Sequence, residues 1–246
     1  GLKDSRNTVS VFLMQQLGNA NVVRGLVNNM GIDSSLRRSD GEYRLPNQPS
    51  ICLGSADLSV MEMTGAYCTF ANSGVFVKPY FVSSIEDENG KVIYRAVREE
   101  QVALPPKANA VMVDMLRYCA VGFGEYKSQV GGKTGTTNDY VDGWFIGITP
   151  SLVVGTWVGG EDPWIKFNTL TDGQGAVMAR PFYKAFLKRL EESQDVDYDP
   201  EKKFVRPEGP LDIETDCSKY NAIRKQTVIE QFDPHENYQE QFNENK

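Results

Sequence analysis

Gly131-Gly132-Lys133-Thr134-Gly135-Thr136-Thr137, continued by Asn138-Asp139 and then by the strand-like run Trp144-Phe145-Ile146-Gly147-Ile148, decides how this chain is read. A cation, a glycine and hydroxyls on one sheet edge make a place for an anionic peptide end. Lys133 supplies positive charge, and Thr134 and Thr136 supply hydroxyl donors. Gly135 leaves no side chain in the way of an approaching backbone. Three strands are expected over residues 130–136, 143–149 and 152–158, the last two joined by a tight turn at Pro150-Ser151. An Asn89-Gly90 turn between two alternating runs, residues 81–85 and 91–94, predicts a separate hairpin.

Helices are expected on either side of these strands. Residues 7–17 carry Val9, Phe12, Leu13 and Leu17 at helical spacing and stop at Gly18. A second helix is expected over residues 21–30. Ser59 and Glu62 have capping-box spacing and open a third, which Gly74 stops. Pro105-Pro106 opens a fourth. A last helix over residues 180–190 sets Phe182, Phe186 and Leu190 on one face. Helices, then an antiparallel meander, then a closing helix predict an α+β fold, an antiparallel sheet flanked by helices.

Charge divides the 246 residues unevenly: residues 1–190 sum to +1 and residues 191–246 to −8. We therefore expect a balanced body over 1–190 and an acidic C-terminal tail over 191–246. An extended segment, residues 204–210, should lie back on the body, and a short amphipathic helix is expected over 219–232. No basic stripe is present, so nucleic acid is not an expected partner. No apolar run is long enough to cross a bilayer. The single histidine, His235, stands in the acidic tail, which argues against Ser-His-Asp triads and the common zinc sites. The cysteines Cys52, Cys68, Cys119 and Cys217 lack paired metal spacing, and no cofactor or metal is expected. Cys68 and Cys119 fall in apolar helical patterns and are expected as buried, inert thiols. Trp144, Phe145 and Trp157 are expected in sheet packing, and Asp139 and Asp142 in turns. Arg37-Arg38 is expected as solvated surface.

Ser5-Arg6-Asn7 stands just before the first helix. Either Ser5 or Asn7 caps that helix, or both side chains aim into one cleft with the Lys133 strand. The ordered set of motifs resembles the transpeptidase domain of penicillin-binding proteins, in particular the bifunctional class A type, over roughly residues 1–190. Leu53-Gly54-Ser55 with Met63 through Gly74 is similar to that family's long helix and its exit. Gly132 through Asp139 with Asp142 through Pro150 is similar to its third and fourth strands, and Gly155-Thr156-Trp157-Val158-Gly159-Gly160 to its fifth.

The resemblance implies a penicillin-binding protein/β-lactamase-like fold and serine acyl transfer from the D-Ala–D-Ala end of peptidoglycan stem peptides, with β-lactams as inhibitors. It implies Ser5 as a proton-relay serine and Asn7 as holder of the substrate amide. Lys133 would link Ser5 to the substrate carboxylate, with Thr134 and Thr136 binding that carboxylate. The Thr136 N–H would form half of an oxyanion hole, and Gly135 would keep the edge open for strand addition. One departure is plain. The family's nucleophile lies in Ser-x-x-Lys, and no lysine here has a serine three positions before it. The chain also opens without methionine, so a longer parent is expected to carry the nucleophile, a glycosyltransferase domain and a membrane anchor. That parent is expected on the periplasmic face of the inner membrane, with other cell-wall synthesis proteins as partners. A class A β-lactamase and a non-catalytic peptidoglycan-binding scaffold are the rival readings; nothing here resembles the Glu-bearing deacylation loop of the former.

Overall fold

A computed structural model describes residues 1–211, 213, 214, 216 and 219. Cys217, His235 and the helix expected after Lys219 lie outside the described residues. The chain clusters into two compact units, Gly1–Pro207 and Glu208–Lys246, and the elements of the fold belong to the first.

Helices α1 (Asn7–Leu17) and α2 (Ala20–Asn29) open the chain. Gly18 takes the left-handed conformation (φ 68°) and ends α1 where the sequence requires, its N–H donating to Met14 O. A short 3-10 helix (Pro49–Leu53) follows, then α3 (Val60–Ala71). Its capping box forms as the spacing predicts. Ser59 Oγ accepts from the Glu62 N–H (3.2 Å), and Glu62 Oε2 accepts from the Ser59 N–H (2.8 Å). Arg44 grips the same carboxylate with two nitrogens, at 3.0 and 2.8 Å. That grip ties the polar loop 33–55 to the start of α3. Within the loop, Arg37 stacks on the Tyr43 ring and Arg38 pairs with Asp57 at the surface.

Strands β1 (Val75–Val77) and β4 (Glu100–Val102) pair antiparallel. Between them the hairpin β2 (Ser84–Glu86) and β3 (Val92–Arg95) closes through the predicted turn, with Gly90 at φ 79°. The β1–β4 pair was not expected: three residues per strand is too short for alternation to register. After α4 (Pro106–Cys119) comes the central sheet of β5 (Gly131–Thr136), β6 (Asp142–Ile148) and β7 (Val153–Gly159), in the order β5-β6-β7 and antiparallel throughout.

Alternation along β6 assigns its two faces. Ile148 enters a cluster with Val113 and Leu116 of α4 and with Tyr67 and Phe70 of α3. Phe145 enters another with Tyr183 and Leu187 of α7 (Arg180–Glu192). The sheet is thus covered by α3 and α4 on one side and by α7, with the short helices α5 (Leu170–Gly173) and α6 (Gly175–Met178) preceding it, on the other.

Two expected helix faces need correction. On α7 the buried stripe is Tyr183 (1% exposed) and Leu187 (0%), with Leu190 partly buried beside them, while Phe182 and Phe186 stand out at 64% and 45%. The cause lies across the interface: Gly147 has no side chain, and a Cβ there would overlap the Tyr183 ring. That hole selects position 183 over 182. On α1, Val9, Phe12, Leu13 and Leu17 are all exposed, and Met14 is the buried residue. Cys68 and Cys119 are half-buried rather than buried, and they and Cys52 are free thiols. Beyond α7, Phe204 packs on the α4 cluster and Arg206 holds Asp114 at 2.7 and 2.8 Å, so the first residues of the segment expected over 204–210 lie on the body, while Glu208 onward belongs to the second unit.

Candidate active site

Strand β5 is an edge of its sheet, and exposure rises along it from the buried Gly131 and Gly132 to the exposed Thr136. The Thr137 N–H donates to Asp142 O at 3.1 Å. Antiparallel alternation therefore turns the main-chain groups of Thr134 and Thr136 away from β6, toward the open edge. Gly135 sits on this edge, where an added methyl would lie 3.1 Å from the Trp144 Cβ.

Lys133 Nζ reaches round that edge and donates to the Thr134 carbonyl oxygen at 2.9 Å and to Thr134 Oγ1 at 3.4 Å. It also donates to Ser5 Oγ, 128 positions away in sequence. A tight turn brings Ser5 there: the Ser5 N–H donates to Leu2 O and the Arg6 N–H to Gly1 O. Ser5 itself has φ 49°, a left-handed conformation that a serine holds only at some cost. Lys3 lies over the Tyr118 ring, 4.7 Å from its centre, and holds the turn against the end of α4. The capping alternative fails, because the N-cap of α1 is Arg6 and no side chain caps it. Asn7 is the first residue of α1 and is exposed, with no side-chain hydrogen bond among the described residues. Ser5, Lys133 and Thr134 are thus brought together. Asn7 stands two residues from Ser5, exposed, and no hydrogen bond joins its side chain to Lys133 or Thr134 among the described residues.

The Thr136 hydroxyl accepts from the Gly175 N–H of α6 at 3.0 Å and keeps its own hydrogen to donate. Burial lowers the pKa of Lys133 from its ordinary value, opposed by the nearby Cys119 thiol. Burial likewise raises Cys119, and Lys133 opposes that shift. Sequence reading missed both neighbours. Cys119 looked like a packing residue of α4, and Gly175 lies 39 positions from the strand it buttresses. Asp142 serves the hairpin, accepting from Thr137 Oγ1 (3.1 Å) and from Trp157 Nε1 (2.9 Å). Asp139 and the following Tyr140 both have positive φ, 56° and 62°. Trp144 and Trp157 pack ring against ring at 6.5 Å.

A family profile, the penicillin binding protein transpeptidase domain, matches residues 1–175. The chain belongs to this family. Penicillin-binding protein 1A of Aquifex aeolicus is 32% identical over 212 residues, covering 83% of this chain and 27% of that protein. Penicillin-binding protein 1A of Rickettsia conorii is 28% identical over 260 residues, covering 94% of this chain and 31% of that one. The chain thus spans about three tenths of the length of these curated relatives. Among solved structures, PonA1 of Mycobacterium tuberculosis in complex with penicillin V matches with a TM-score of 0.66 at 26% identity, over 85% of this chain and 61% of that one. Penicillin-binding protein 1A of Haemophilus influenzae has the same TM-score of 0.66 at 20% identity, covering 85% and 35%, a likeness of fold. The transpeptidase fold of this family is therefore the fold of this chain.

Proposed function

We propose that this chain is part of a class A peptidoglycan D,D-transpeptidase that cross-links D-Ala–D-Ala stem peptides by serine acyl transfer and is inhibited by β-lactams. The observation that carries the reading is the contact of Lys133 Nζ with Ser5 Oγ at the open edge of β5. A cation there attracts the terminal carboxylate of a peptide, and the Thr134 and Thr136 hydroxyls donate to it. The Thr136 N–H faces the same edge and is oriented to stabilise a developing oxyanion. Because burial favours the neutral amine, Lys133 loses a proton more readily than a solvated lysine, and Ser5 is placed to pass that proton on. Asn7 holds the substrate amide. Gly135 lets an extended peptide add to the strand.

The acylated serine lies outside these 246 residues, since no Ser-x-x-Lys occurs within them. This chain alone is then inactive, and the longer protein carries the nucleophile, a glycosyltransferase domain and an anchor that keeps the site on the periplasmic face of the membrane. No helix among the described residues is itself long and apolar enough to cross a membrane. Residues 1–190 form the transpeptidase part, and of the acidic stretch 191–246 that follows, the residues up to Pro207 belong to the same compact unit. Partners are peptidoglycan stem peptides and, for the whole protein, other cell-wall synthesis proteins.

Intact-mass measurement after incubation with a penicillin tests this on both this chain and the longer protein. Adduct on the longer protein alone is the expected result. Adduct on this chain would place the nucleophile within it, with Ser5 the first suspect. Adduct on neither would favour a non-catalytic scaffold that binds peptidoglycan.

A further inference from the structure

Between β7 and α6 the chain leaves the sheet for residues 160–174, and this excursion is moored to the far end of β5 in three places. Thr136 Oγ1 accepts from the Gly175 N–H. Lys166 pairs with Asp139 at 3.9 Å. Gly173 lies directly against the side chains of Tyr140 and Phe167, with no room for a Cβ. On this held segment Trp164 is 76% exposed, and Ile165, Phe167 and Leu170 are exposed as well. Four large apolar side chains within seven residues, held beside the exposed end of β5, form a contact surface.

The strand itself sets the direction a ligand takes. At the Gly131 end a Cβ would come within 3.1 Å of Ile148 and 3.3 Å of the Arg117 main-chain nitrogen, so α4 closes that end. A peptide whose terminal carboxylate is held at Lys133 must run out past Thr136, toward Asp139 and the excursion. Three residues of extended peptide span roughly 10 Å, the same length as β5 from Lys133 to Thr136. The third residue from the peptide's end is therefore level with the end of the strand.

We propose that Trp164 and Phe167 form a specificity lip that receives the aliphatic side chain of the stem-peptide residue preceding the terminal D-Ala–D-Ala pair. The proposal rests on Lys133 as the carboxylate site. Flat aromatic faces take methylene chains with little loss of side-chain freedom. A long unbranched side chain gains by this contact, and a glycine in its place gains nothing.

The test compares binding of acetyl-norleucyl-D-Ala–D-Ala and acetyl-glycyl-D-Ala–D-Ala to the full chain by NMR titration. The norleucyl peptide is expected to bind about tenfold tighter, the effect of a few methylenes leaving water. In the double variant Trp164→Ala/Phe167→Ala the ratio of the two affinities should fall toward one, and Trp164→Phe should keep most of it. Lys133→Ala should abolish binding of both peptides. An unchanged ratio in the double variant, with binding still lost in Lys133→Ala, overturns the lip and leaves the carboxylate site standing. Undiminished binding of both peptides to Lys133→Ala overturns the carboxylate site, and the lip with it.

Discussion

Lys133 shows how one residue acquires a role from its surroundings. Its ammonium is held by Ser5 Oγ, the Thr134 carbonyl and the Thr134 hydroxyl. Those acceptors favour the charged form, while half-burial favours the neutral one, and burial prevails, so its pKa lies below that of a solvated lysine. The cation proposed to bind a carboxylate is thus lost as pH rises through a value below the ordinary 10.5. Affinity for an acetyl-peptide ending in D-Ala–D-Ala, measured against pH, should fall with a midpoint under that value; a midpoint at or above it would contradict the burial argument. The chemical identity of Lys133, Thr134 and Thr136 is legible in the sequence because the motif is contiguous. The partnership with Ser5 was an expectation that only the folded chain could meet. The roles of Cys119 and Gly175 were not legible, because nothing local marks a residue that matters through a distant neighbour.

Among the elements, α3 and α7 give contrasting cases. The capping box of α3 is a local device, so Ser59 and Glu62 announce it by spacing alone. Arg44 joins them from the loop 33–55 and, with the Ser59 bonds, draws the Glu62 pKa down to about 2 from 4.5. A depressed carboxyl pKa contributes stability that is complete above the unfolded value and is lost as pH falls from about 4.5 to about 2. Roughly 2–3 kcal/mol is at stake. Acid unfolding of Glu62→Gln should lack that share of the pH dependence, and a profile identical to the original would contradict it. Helix α7 is the opposite case. Its apolar residues Phe182, Tyr183, Phe186, Leu187 and Leu190 form two overlapping stripes one position apart, and periodicity cannot choose between them. Gly147 chooses, by leaving a hole that Tyr183 fills. Tyr183→Ala should then cost about 3–5 kcal/mol in denaturant unfolding, and Phe182→Ala under about 1 kcal/mol. Equal costs would mean that the stripe has been assigned to the wrong face.

At the scale of the molecule, the body continues past the last helix. Tyr198 donates to Thr149 Oγ1 (3.2 Å) and lies 2.8 Å from Ser128 Oγ. Phe204 packs under α4 and Arg206 clamps Asp114. A chain ended after residue 190 loses all of these, whereas one ended after residue 207 loses none. The shorter form should melt several degrees lower, since each 1 kcal/mol shifts the midpoint by about 2–4 °C in a domain of this size. Matching melting curves would show the strap to be energetically idle. The exposed apolar face of α1 also belongs to this scale: helical spacing correctly announces a helix, but which side is covered depends on what else is folded against it. By itself the sequence determined the elements whose signals are local, namely the helix caps and stops, the Asn89-Gly90 hairpin, the three-strand meander and the Lys133-Thr134-Gly135 motif. Tertiary structure alone decided which helix faces are buried, the pairing of β1 with β4 and the meeting of Ser5 with Lys133. These depend on shapes and holes supplied by residues far away in the chain, and no window of neighbouring residues contains them.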